Sequence, residues 1–262
     1  MRMGRGCRGV WVWRAAALGL ILVLGACGTG AKKKGVAKSM APAHYQFGLR
    51  LYQEGQVRNA LTQMLRAIEL EPDNAVYRNS LGFVYFSLAE YDLARTHYEK
   101  AIRLAPAFTE AHVNLALVDS EQGRYQEAEA QYRKALADPS YPTPEKVYVN
   151  WGLTLRKRGD PAGAGTMFRK AIEARPRYAR AHFEMGRLLE EQGDAEGALR
   201  EYLEAWDGMP ELAELNLRLG EIYAARGETD RARLYLEKVV AAAPESPEAE
   251  KARILLRAGS SR

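Results

Sequence analysis

The sequence predicts an all-α chain, a right-handed superhelical solenoid of six helix-turn-helix repeats closed by a short C-terminal capping helix. Three observations carry that prediction. Small residues recur at one interval: Gly48, Gly82, Ala116, Gly152, Gly186 and Gly220 lie 34, 34, 36, 34 and 34 residues apart. Ala60, Ala94, Ala128, Ala164, Ala198 and Ala232 keep that spacing, as do the closing prolines Pro72, Pro106, Pro176, Pro210 and Pro244. Larger apolar residues then fall at helical spacing between the small ones. They are Phe47, Leu81, Leu115, Trp151, Met185 and Leu219 in the first half of each unit, and Met64, Tyr98, Tyr132, Phe168, Tyr202 and Leu236 in the second. Self-similarity at a fixed period marks units that cannot bury an apolar face alone and must stack.

The chain opens with residues 1–26, where Arg2, Arg5, Arg8 and Arg14 precede the apolar run Ala15 to Leu24. This is the layout of a secretory signal, and the run is about half the ~20 residues a spanning helix requires. Leu24-Gly25-Ala26-Cys27 resembles the bacterial lipobox. The resemblance implies cleavage before Cys27 and acylation of its sulfur, hence a membrane anchor. Cys7 would leave with the signal and Cys27 would be capped, so no thiol pair remains for a disulfide. Gly28 stands where an aspartate would resemble an inner-membrane retention signal, which favours the outer membrane of a Gram-negative bacterium, on the periplasmic side. Residues 27–40 carry Lys32, Lys33, Lys34 and Lys38 among small residues and read as a flexible tether.

Six units follow, 41–74, 75–108, 109–144, 145–178, 179–212 and 213–246. In each, a small residue on helix A and two on helix B let the backbones approach. Gly55, Gly123, Gly159, Gly193 and Gly227 end helix A, where a left-handed residue reverses the chain. The proline near the unit's end stops helix B. A two-residue insertion between Asp138 and Glu145 accounts for the single interval of 36. The tail, 247–262, places Ala249, Ala252, Ile254, Leu255 and Leu256 among charges and is expected to cap the last apolar face.

Charge and chemistry exclude several functions. The formal charge is +5, but the four leader arginines leave 34 basic against 33 acidic residues. Arg and Lys alternate with Glu along helix faces without the clustered stripe that nucleic acid requires. Of the four histidines, His44, His112 and His182 share the fourth position of their repeats, which points to a structural slot, and His97 stands apart. No paired histidine spacing for zinc, no phosphate loop and no nucleophile elbow occurs. The irregular loop at 138–145 offers only Ser140. Most of the Glu and Asp residues are expected on solvent-facing helix positions. No enzyme activity, metal, cofactor or small-molecule substrate is expected.

The recurring positions resemble the tetratricopeptide pattern across 41–246. That resemblance implies a concave surface lined by the second, fifth, ninth and twelfth positions of each helix A. Those positions give a partner-binding groove of Tyr45, Leu49, Tyr52, Val76, Asn79, Phe83, Phe86, Val113 and Leu117, aromatic and aliphatic, with charged residues in repeats five and six. A contiguous exposed apolar surface suits one face of an amphipathic helix. The Lys and Asn clamp of chaperone-docking modules is absent, since Tyr45 and Leu49 stand in its places. A lipobox, a tether and six such units resemble the type IV pilus pilotin lipoproteins. That resemblance implies a protein that localises and assembles the secretin, the ring through which the pilus passes. Two other readings stay open: a periplasmic adaptor for cell-wall enzymes, and an assembly factor for cytochrome maturation or exopolysaccharide export.

Overall fold

A computed structural model describes residues 40–260. The described residues form thirteen α-helices and no strand. They are α1 (Ala41–Gln53), α2 (Val57–Leu70), α3 (Ala75–Ser87), α4 (Tyr91–Leu104), α5 (Thr109–Glu121), α6 (Tyr125–Ala135), α7 (Pro144–Arg158), α8 (Pro161–Ala174), α9 (Ala179–Glu191), α10 (Ala195–Trp206), α11 (Ala213–Ala225), α12 (Thr229–Ala242) and α13 (Pro247–Ser260). They fall into two compact units, one ending at Tyr77 and one beginning at Arg78.

Every A-to-B turn is built the same way. The amide of the residue after the turn reaches back five positions to a helix-A carbonyl: Gln56 to Leu51 (2.8 Å), Glu90 to Tyr85 (3.0 Å), Arg124 to Asp119 (2.8 Å), Asp160 to Leu155, Asp194 to Leu189 and Glu228 to Tyr223 (each 2.9 Å). This is the Schellman closure, which needs a left-handed residue just before that amide. Glycine supplies it in five turns, with φ between 74° and 86°, whereas in the second turn Ala89 adopts φ 60°.

In the first unit, α1 and α2 pair through Gly48, Leu51, Ala60, Met64, Ala67 and Ile68, all buried. In the second unit the same device repeats. A Cβ added to Gly186 would lie 2.6 Å from the Tyr202 ring, so helix A and helix B close on each other only because that position is bare. From α5 onward each helix A packs on the helix B before it. Leu115 and Val118 of α5 join Ala94 and Tyr98 of α4, and Met185 and Leu188 of α9 join Ala164 and Phe168 of α8. The tail helix α13 buries Ala249 and Ala252 and lays Leu255 and Leu256 against the last hairpin, while Ile254 faces solvent.

One expectation of packing requires correction. Phe47 holds the position that Leu81, Leu115, Met185 and Leu219 fill in the core, yet it is 47% exposed. Within the second unit Leu115, Met185 and Leu219 are covered by a preceding helix B, and α1 is the first described helix. Among the mostly solvent-facing acidic residues, three are exceptions: Asp119, Glu145 and Glu184 are buried. Each is held by arginine, Asp119 by Arg95 and Arg124, Glu145 by Arg175 and Glu184 by Arg180 and Arg156. Guanidinium pairing is what makes a buried carboxylate tolerable.

Candidate partner-binding faces

In the first unit, Tyr45, Leu49 and Tyr52 follow one another at i, i+4 and i+7 and share one face of α1, each half-buried. The Tyr45 ring stacks on Tyr77 with centroids 4.6 Å apart. Val76, at the start of α3, is 47% exposed. Asn74 caps that start, its Oδ1 accepting from the Val76 and Tyr77 amides at 3.0 and 3.2 Å.

In the second unit, Phe83 is exposed on α3, and Phe86 packs at a tilt on Tyr91 with centroids 5.6 Å apart. Asn79 is half-buried and its Oδ1 accepts from Asn114 Nδ2 at 3.0 Å, so the amide is spent between helices. Leu117 is half-buried on α5. Val113 is not on a surface: it lies in the core cluster of Ala116, Ala128, Tyr132, Ala135 and Val147. From α5 onward the fifth position sinks, since Val149, Phe183 and Leu217 are buried too. Successive A helices close over it.

Further along, the corresponding positions of α7 and α9 carry charge at Lys146, Arg156, Arg180, Arg187 and Glu190. Glu184 is fully buried and receives Arg180 at 2.6 Å and Arg156 at 3.3 Å, with Arg187 at 3.9 Å. Both Arg180 and Arg187 lie 5.8 Å from the Phe183 ring centroid. The network was readable in outline from arginines four before and three after Glu184, but not its burial.

The histidines do not converge. His44 Nδ1 meets Gln63 Oε1 at 2.8 Å, and His112 Nδ1 meets Gln131 Oε1 at 2.7 Å. His182 Nδ1 meets Glu201 Oε2 at 2.7 Å. The other ring nitrogens of His112 and His182 face the carbonyls of Pro106 and Pro176, six residues back, at 3.0 and 2.9 Å. In the sixth repeat Asn216 Nδ2 donates to the Pro210 carbonyl at 2.8 Å from the same position. The fourth position therefore ties one hairpin to the proline turn before it. The hydrogen bond to Glu201 raises the His182 pKa above its usual value, opposed by burial. Burial, then the charge of Arg78, lowers His97 to about 4. Among the described residues no group of three or more His, Cys, Asp or Glu is placed to hold a metal ion. No described helix is long and apolar enough to cross a membrane. Cys27 lies outside the described residues.

Tetratricopeptide-repeat families match residues 48–88, 73–138, 149–211 and 189–254. The type IV pilus assembly protein PilF of Pseudomonas aeruginosa is 30% identical over 130 residues, spanning 50% of this chain and 52% of that protein. The chain thus matches about half the length of that relative. The solved structure of P. aeruginosa PilF superposes with a TM-score of 0.67 at 25% identity, covering 85% of this chain and 99% of the other. That of PilW, a type IV pilus biogenesis factor, superposes with a TM-score of 0.69 at 24% identity, covering 81% and 97%. A chain whose helix pairs, turn chemistry and 34-residue period run through both described units thus belongs to the tetratricopeptide-repeat family, and within it is similar to type IV pilus biogenesis proteins.

Proposed function

We propose that the protein is a non-catalytic, outer-membrane lipoprotein acting as a pilotin. It would be anchored through Cys27 on the periplasmic side and bind an apolar or amphipathic segment of the type IV pilus secretin. The observation that carries the reading is the apolar character of the first A helices. Val76 and Phe83 stand exposed, and Tyr45, Leu49, Tyr52, Phe86 and Leu117 are half-buried beside them on their own helices. Water-facing aromatic and aliphatic side chains at helix spacing suit a partner helix. The names of the similar proteins, a pilus assembly protein and a pilus biogenesis factor, support the pilus context. The charged side chains around Glu184 are mostly committed to one another and offer a poorer apolar receptor.

The test is recovery of partners from detergent-solubilised outer membranes with the tagged protein, read by mass spectrometry. The double variant Val76→Ala/Phe83→Ala is expected to lose at least about tenfold in partner recovery, the equivalent of ~1.4 kcal/mol. Its melting should move little, since surface truncations usually change stability by no more than about 0.5 kcal/mol. Recovery of cell-wall enzymes or an export complex without secretin would replace the pilotin reading with an adaptor reading. Unchanged recovery by the variant would remove the apolar faces as the receptor.

A further inference from the structure

We infer that the end face of α1, centred on Met40 and Phe47, docks on an anionic phospholipid surface. The inference rests on the reading of Cys27 as the lipid anchor. Phe47 is 47% and Met40 50% exposed, and Ala43 and Arg50 beside Phe47 on the same helix face are exposed as well. In the later hairpins of the second unit this face is core: Ala111, Leu115 and Val118, or Ala181, Met185 and Leu188, are buried against a preceding helix. The first hairpin has the aromatic Phe47 there and arginine, Arg50, at the tenth position. An apolar centre edged by a cation suits the headgroup boundary of a bilayer better than it suits a protein core. It is also distinct from the face of Tyr45, Leu49 and Tyr52, so lipid and a protein partner need not compete.

Charge and chain length name the occupant. Residues 28–70 hold seven basic side chains, the four tether lysines with Arg50, Arg58 and Arg66, against Glu54 and Glu69. Residues 71–262 hold 27 basic against 31 acidic. The positive charge of the chain beyond the leader is therefore gathered beside the anchor, and the rest is net negative. Arg50, Arg58 and Arg66 are all exposed. Thirteen residues, Gly28 to Met40, separate Cys27 from α1, a reach of at most about 45 Å. An acylated Cys27 would hold this face permanently within reach of headgroups, where each lysine strengthens association about fivefold.

The experiment uses the intact protein purified from membranes. Its mass first reports whether Cys27 is acylated, which tests the anchor by itself. Ala43→Cys, the one free thiol once Cys27 is capped, is labelled with an environment-sensitive fluorophore. The protein is then reconstituted into phosphatidylcholine vesicles, without and with roughly a third phosphatidylglycerol. Docking predicts a blue shift and quenching by brominated lipid only in the anionic vesicles. Both should be reversed in about 0.5 M salt, where the screening length is about 4 Å. Phe47→Ser, or Lys32→Gln/Lys33→Gln/Lys34→Gln, should return the signal to that of the neutral vesicles, while the same label at Glu173→Cys stays in water throughout. Equal signals in the two vesicles, quenching that survives Phe47→Ser, or a shift that follows protein concentration without lipid would each overturn the inference, the last in favour of a second copy. If the mass shows no acylation, flotation of the protein with anionic vesicles tests the face alone, and failure to float overturns it.

Discussion

His182 and His97 sit in the same helical scaffold and titrate in opposite directions. His182 Nδ1 faces the Glu201 carboxylate and its Nε2 faces a carbonyl, so two acceptors surround a ring that satisfies both only as the cation. Its folded pKa is raised, so the stability it contributes is complete below about 6.5 and is lost as pH rises through the folded value. His97 accepts from Arg78 at 3.4 Å and is kept neutral down to about 4. Its contribution is complete above about 6.5 and is lost as pH falls toward 4. Proton NMR titration of the four imidazoles should place His97 near 4 and His182 above the usual range, and Glu201→Gln should bring His182 back down. Equal midpoints would refute this account. The sequence placed three histidines in one repeat position and thereby removed them as a metal site, but it could not show their acceptors. Those lie six residues back, in the preceding proline turn, and nineteen residues on, on the following helix B.

The hairpin is the element at which sequence and structure agree most closely, because its turn has a strict chemical demand. Five glycines at φ near +80° announce the Schellman closures, whereas Ala89 meets the same demand with a Cβ and carries no sequence signal. A left-handed alanine costs about 1 kcal/mol or more, only part of which glycine returns through its freer unfolded chain. Ala89→Gly is expected to stabilise by roughly 0.5–1 kcal/mol and raise the melting midpoint by about 2 °C, with Gly123→Ala costing about as much or more. Thermal melts followed by circular dichroism decide it, and a destabilising Ala89→Gly would refute the strain. The candidate faces were less legible than the turns. Periodicity placed Val113 in line with Tyr45 and Asn79, and Phe47 in line with Leu115. Whether a slot is open depends on which neighbouring helix covers it. Val147 of α7 sits in the cluster that buries Val113, while α1 is the first described helix, and neither fact is local to the residue concerned.

Across the whole molecule the repeats make contacts that are mostly close in sequence, so folding draws on local and nearest-neighbour terms. The largest break in the rhythm is the connection from α6 to α7, eight residues against six between α10 and α11 and four at the other B-to-A turns. Asp138, Pro139 and Ser140 are exposed there, and Asp138 Oδ1 holds the Ser140 amide at 2.9 Å and its hydroxyl at 2.6 Å. Beneath that loop the packing does not pause. Val113, Ala116, Ala128, Tyr132 and Ala135 enclose Val147 from beyond it, and Tyr132 Oη meets Thr154 Oγ1 at 3.1 Å inside the core. The packing predicts that the covalent link between Pro139 and Ser140 is dispensable to the architecture. Two separately produced polypeptides, ending and beginning there, should find each other and restore the helicity and gel-filtration volume of the uncut chain, which would make this loop a natural place to divide the protein into a split reporter.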